Sequence, residues 1–253
     1  MNKWLVIVVA TLCAAGAVFG ALGTVIRSFP IPGGACGGLA RSNGVLYSVN
    51  YTQGRIYAMN PTTGSVTNSF AAAGGTNTRG LAYQFGGYLW QNQAYASPYR
   101  IYRTSTANGS IYNYYALPGQ YVHGSDPLAT GDGGEGTTRI ILSNYYNKTI
   151  YYMTTTGSIA RSHSVVPVMF DIAYDWRNQL IWGGMNSTTV YGVNTNGSTV
   201  ASFNRPAGNV YGITYHGQYL FVAGTSGNIY TIHCPGTIGI APSSMGKIKA
   251  IYR

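Results

Sequence analysis

A seven-residue motif, Gly-(Ser/Thr)-x-x-x-(Ser/Tyr)-(Phe/Tyr/His), recurs five times in this chain. It reads GTVIRSF at 23–29, GSVTNSF at 64–70, GSIYNYY at 109–115, GSIARSH at 157–163 and GSTVASF at 197–203. Successive copies start 41, 45, 48 and 40 residues apart. A period of roughly 40–50 residues made of short strands means a propeller or a comparable array.

The units between the motifs share one internal order. Residues 38–70 run GLARS, a turn at Asn43-Gly44, VLYSVN, a turn at Gln53-Gly54, RIYAMN, a turn through Pro61, and SVTNSF. Short β-rich runs separated by Gly, Asn and Pro predict a four-stranded antiparallel meander. The fifth unit stops at His233 without an outer strand, and the first motif copy has no inner strands before it. Each completes the other. The sequence therefore predicts an all-β, five-bladed β-propeller of four-stranded antiparallel blades, its ring closed by the N-terminal strand. A competing closure uses GTIGI at 236–240. The N-terminal strand is preferred because its motif is complete.

Residues 1–21 carry Lys3, an apolar run from Leu5 to Leu12 and then small residues, the pattern of a signal peptide. An uncleaved anchor is the rival reading. The expected organisation is a signal peptide at 1–21, the propeller at 22–242 and a short basic tail at 243–253. The expected location is secreted or cell-surface, periplasmic or extracellular, with no membrane association after cleavage. Export permits a disulfide between Cys36 and Cys234. A strand of about 23 Å between them argues for caution, because bridged Cα atoms lie within about 7 Å.

The net charge of +10 arises from 15 basic residues against only five acids, and the basic residues are scattered. No stripe of the kind that tracks nucleic acid is present, so nucleic acid is excluded as a partner. Only 8% of residues are charged while 23 are tyrosine, a balance that excludes disorder.

The unit pattern G-[IL]-[AT]-Y, turn, [YL]-[LI]-W, then [RT]-[IV]-Y-x-[MVI]-[NT] and G-S-[VI]-x-x-S-F resembles the blade repeat of secreted propellers. These include the quinoprotein-like, NHL and glutaminyl-cyclotransferase types, which usually have more blades. The resemblance covers nearly the whole chain after residue 21. It implies the architecture and leaves activity open, because such propellers host many functions.

Superposing the units places Asp126 and Asp171 at equivalent starts of the inner strands of blades three and four, where the other blades have Gly38, Gly80 and Gly212. Arg79, His123, Asn209 and Tyr211 neighbour them, so these six residues form a candidate channel-mouth site. A carboxylate at a strand start also commonly caps its own turn. Tyr51, Tyr95, Tyr145 and Tyr146 follow the second strands, in loops on the same face, where exposed Tyr suits sugars or protein partners. Asp132, Glu135 and Asp175 fall in turns at the opposite end. A calcium loop in SDPLATGDGGEG is rejected on that separation, and no metal or cofactor is expected.

Catalytic signatures are absent from the sequence. There is no G-x-S-x-G elbow, no HExxH and no CxxC. The sole glutamate, Glu135, is on the wrong face for a glycosidase pair. His163 and His216 read as solvated, and Trp90 and Trp182, sharing one strand position, read as inter-blade core. Three functions follow in order of support. The first is a secreted, non-enzymatic module binding a glycan or surface protein on its top face. The second is a polysaccharide lyase or hydrolase using the carboxylate pair. The third is self-association as a surface layer or fibre.

Overall fold

The computed structural model describes residues 21–235 except 43, 96, 120–121, 128–138 and 186, and for 123–127 the backbone alone. Its strands are β1 (Val25–Pro30), β2 (Gly38–Arg41), β3 (Leu46–Asn50), β4 (Arg55–Met59), β5 (Val66–Ala71), β6 (Thr78–Gln84), β7 (Tyr88–Gln93), β8 (Arg100–Ser105), β9 (Ile111–Ala116) and β10 (Val122–Pro127). They continue as β11 (Arg139–Asn144), β12 (Thr149–Thr154), β13 (Ile159–Ser164), β14 (Asp171–Asp175), β15 (Leu180–Gly184), β16 (Thr189–Asn194), β17 (Thr199–Asn204), β18 (Val210–His216), β19 (Tyr219–Gly224) and β20 (Asn228–His233). Four sheets are consecutive meanders, β2 to β5, β6 to β9, β10 to β13 and β14 to β17. The fifth has the order β1-β20-β19-β18.

The chain is a five-bladed propeller, and its first strand closes the ring. β1 pairs antiparallel with β20, Phe29 opposite Ile229 and Pro30 opposite Asn228. The outer position of blade five is thus taken by β1. The rival segment 236–240 lies outside the described residues.

Each gap between blades holds its own apolar cluster. Tyr47 anchors the gap between blades one and two, Trp90 between two and three, and Ile141 between three and four. Trp182 anchors the gap between blades four and five, and Phe221 between five and one. Both tryptophans are fully buried, as the repeated position implied. A flat, half-apolar sheet cannot bury both faces alone, and the ring solves this by stacking every blade on two neighbours.

The motif itself is explained by packing across blades. The glycine opening each copy has positive φ, +75° at Gly64 and +77° at Gly109. A Cβ on Gly64 would lie 2.5 Å from the Phe29 ring, and one on Gly109 2.6 Å from that of Phe70. The aromatic ending one copy therefore rests on the glycine opening the next. Tyr115 on Gly157, His163 on Gly197 and Phe203 on Gly23 continue the circuit. The last contact returns to the N-terminal strand. Any other residue at these glycines meets both the left-handed backbone penalty and a ring in contact.

At this shared aromatic position blade three carries a histidine. His163 is half-buried against Tyr152, 5.6 Å between ring centroids, and its Nε2 is buried without a hydrogen-bond partner. This corrects the reading of His163 as solvated. Burial, with Arg161 adding to it, pushes its pKa down. His216 is also half-buried, and burial together with Arg41 and Arg177 lowers its pKa. A histidine held neutral in the fold is fully stabilising above its unfolded pKa of about 6.5, and that stability is lost as pH falls through the lowered folded value. We expect urea unfolding to show declining stability from about pH 7.5 to pH 5.5. His163→Phe, restoring the residue used at Phe29, Phe70 and Phe203, should add about 1 kcal/mol and reduce that decline. An unchanged pH slope in the variant would contradict this role for His163.

Candidate functional site

The starts of the inner strands and the loops after the second strands share one face, because adjacent strands run antiparallel. β6 carries Arg79 there, the β3–β4 turn carries Tyr51, and Tyr95 follows β7. The structure brings these three together. The Arg79 guanidinium carbon lies 4.2 Å from the Tyr51 ring centroid and 4.7 Å from that of Tyr95. Its Nη1 donates to the carbonyls of Thr76 at 2.8 Å and Thr78 at 3.1 Å. Burial lowers the pKa of Arg79, while the phenols of Tyr95, Tyr51 and Tyr145 oppose that shift. The side chain remains half-buried, with its rim reaching the surface.

Tyr145 joins the same mouth from the β11–β12 turn. It stacks on Phe170 at 5.4 Å, and Phe170 meets the edge of Tyr211 at 4.9 Å. Phe170 was missed by sequence reasoning; its signal is its place immediately before Asp171. Tyr146 is 74% exposed, its backbone N–H donating to Asn144 Oδ1 at 3.0 Å. Asn209 is held by its backbone, its N–H donating to Thr225 Oγ1 at 2.9 Å and its carbonyl accepting from Arg205 Nη1 at 2.7 Å. Arg205, also missed, is buried, donates to Ser226 Oγ and lies 5.3 Å from the Tyr230 ring centroid. Burial lowers its pKa as well.

Asp171 is fully buried. Its Oδ2 accepts from the backbone N–H of Ile213 at 2.9 Å and of Leu39 at 3.2 Å. Ile213 is on blade five and Leu39 on blade one, so one carboxylate from blade four ties three inner strands across the channel. That is the work of a structural crosslink between blades, neither the cap of its own turn that a strand-start carboxylate commonly makes nor an open binding group.

The pairing also corrects the superposition of the two aspartates. Asp171 lies opposite Gly184, one pair beyond Ile172, just as Gly38, Gly124 and Gly212 lie opposite Val49, Ser143 and Ala223. Asp126 lies opposite Ile141 and so matches Ala173, opposite Trp182. It is two positions further along its strand, about 6–7 Å. The reason is that β10 begins at Val122, earlier than SDPLAT suggested, so Gly124 takes the place that Gly38 and Gly212 hold in their blades. The side chains of His123 and Asp126 lie outside the described residues, as do Asp132 and Glu135 in full.

At the opposite end, the Asp175 carboxylate accepts from the backbone of Arg177 and Asn178, and from Trp182 Nε1 at 3.3 Å. Cys234 Sγ is 3.7 Å from the same carboxylate, while Cys36 belongs to the cluster between blades five and one. The two cysteines are buried and separate, with no bridge between them. Burial, above all, pushes the Cys36 thiol up to about 12, and it raises that of Cys234.

No family model and no curated protein sequence matches the chain. Solved structures do. The crystal structure of Myxococcus xanthus glutaminyl cyclase superposes with a TM-score of 0.67 at 14% identity, covering 83% of this chain and 95% of that one. Virginiamycin B lyase from Staphylococcus aureus superposes with a TM-score of 0.50 at 15% identity, covering 82% of this chain and 69% of that one. At such identities the likeness is one of architecture, and it agrees with the sheet order: this chain is a five-bladed β-propeller.

Proposed function

We propose that this chain is a secreted, non-enzymatic binding module that takes a glycan on the face where the loop tyrosines converge. The observation that carries the reading is the Arg79 guanidinium set beside the rings of both Tyr51 and Tyr95. Aromatic faces give sugar C–H groups a stacking surface, while phenol and guanidinium donors engage hydroxyls. The accessible aromatic groups come from three different blades, which suits a ligand lying across the channel mouth. Export through the segment at 1–21 is part of the proposal, and N-terminal sequencing of material recovered outside the cell tests it.

The glycan reading is tested on an oligosaccharide array followed by calorimetry. Tyr51→Ala with Tyr95→Ala should weaken binding about tenfold or more while leaving the melting temperature close to the parent's. Unchanged affinity in that double variant contradicts the proposed face. A folded protein that binds no glycan but captures a surface protein through the same residues replaces the ligand class.

The enzymatic alternative, a lyase or hydrolase, draws on the same architecture carrying an enzyme in Myxococcus xanthus. Here it loses one of its two carboxylates, because Asp171 is committed to the amides of Leu39 and Ile213. Polysaccharide turnover that Asp126→Asn abolishes would restore it.

A further inference from the structure

We infer that the glycan taken at this mouth is acidic, bearing a uronate carboxylate or a sulfate that sits at the edge of Arg79. This rests on the reading that the mouth binds glycan, and adds the charge of the ligand. Three observations carry it. First, the Arg79 guanidinium carbon lies 4.2 Å from the Tyr51 ring centroid and 4.7 Å from that of Tyr95, so the cation is half-buried among aromatic rings at the mouth. The guanidinium plane is where its N–H donors point, and where carboxylate or sulfate oxygens bind in pairs.

Second, the in-plane donors are only partly used. Nη1 serves the carbonyls of Thr76 and Thr78, and Tyr95 is the side chain that hydrogen-bonds the group. Neutral oxygens do not cancel a cation. Third, among the described residues the mouth holds no accessible acid. Asp171, on blade four, is fully buried and bonded to two amides. A half-desolvated cation flanked by rings binds an oxyanion more strongly than a solvated one. The chain's charge of +10 favours approach of an anionic polymer. A glycan fits better than an acidic peptide, because the tyrosines beside the charge offer stacking surface to a sugar.

The experiment compares length-matched neutral, uronate-bearing and sulfated oligosaccharides, with a polyglutamate peptide, by calorimetry on the full chain. At least one acidic oligosaccharide should bind about tenfold or more tightly than its neutral match. Raising salt from about 50 to about 300 mM should weaken that one selectively. Arg79→Gln should erase the preference, leaving acidic and neutral oligosaccharides with equal affinity for the variant. Arg79→Lys keeps the charge but loses the planar fork, and should retain only part of the preference; it serves if the Gln variant fails to fold. Equal affinity for neutral and acidic sugars, or a preference that survives in Arg79→Gln, overturns the inference while leaving the glycan reading standing. Polyglutamate binding more tightly than every sugar overturns the ligand class. Binding of no sugar at all overturns the glycan reading itself, and this inference with it.

Discussion

Deleting residues 22–30 is expected to abolish cooperative unfolding. The segment supplies all of β1, the outer strand of blade five. It carries Phe29, 6% exposed, into the cluster between blades five and one. Removing a buried Phe alone costs about 3–5 kcal/mol. The deletion also leaves β20 as an open edge, strips the Gly23 seat from under Phe203, and removes Phe29 from Gly64. The total rivals the roughly 5–15 kcal/mol that holds a domain of this kind together. The check is a thermal melt followed by circular dichroism beside a deletion of 243–253, which should cost far less. An N-terminal deletion that melts like the parent would contradict the closure.

Asp171→Ala is expected to be the most damaging single substitution in the channel. It removes the acceptor for the amides of Leu39 and Ile213 in a fully buried place. Each orphaned donor costs about 1–3 kcal/mol, and hydrogen bonds to a charged acceptor are worth more than neutral ones. A loss of about 3–5 kcal/mol lowers the melting temperature by about 10 °C in a chain of this size. Asp171→Asn keeps one carbonyl acceptor and should lose less. If Asp171→Ala melts with the parent, the carboxylate is not the crosslink between blades four, five and one.

Most of the fold was legible because the repeat is a packing rule written five times. Each motif begins with the glycine its neighbour's aromatic needs and ends with the aromatic the next glycine receives. The spacing shows the copies, and only the structure shows that the two ends belong to different contacts. Blade closure was readable from two incomplete units, since a strand without partners and a sheet without its outer strand share one solution. The site was legible in part. Arg79, Tyr51 and Tyr95 follow from blade superposition, because equivalent loops converge on one mouth. The match of Asp126 to Asp171 does not, because β10 starts at Val122 and Gly124, not Asp126, holds the place of Gly38, Asp171 and Gly212. Arg205 and Phe170 were hidden for a different reason: their roles depend on contacts between blades, which have no period in the sequence.

The closure is tested most directly by circular permutation. Gly23 N–H donates to the His233 carbonyl at 3.0 Å, so β1 begins where β20 ends. A permutant starting at Ile31 and placing residues 22–30 behind Pro235 through a short Gly-Ser linker would make blade five a continuous meander like the other four. The account predicts one cooperative transition within about 10 °C of the parent, since joining close ends perturbs a fold little. A permutant that is unfolded, while the same chain ending at residue 242 and lacking residues 22–30 melts cooperatively, would show that β1 is not the strand that closes the ring.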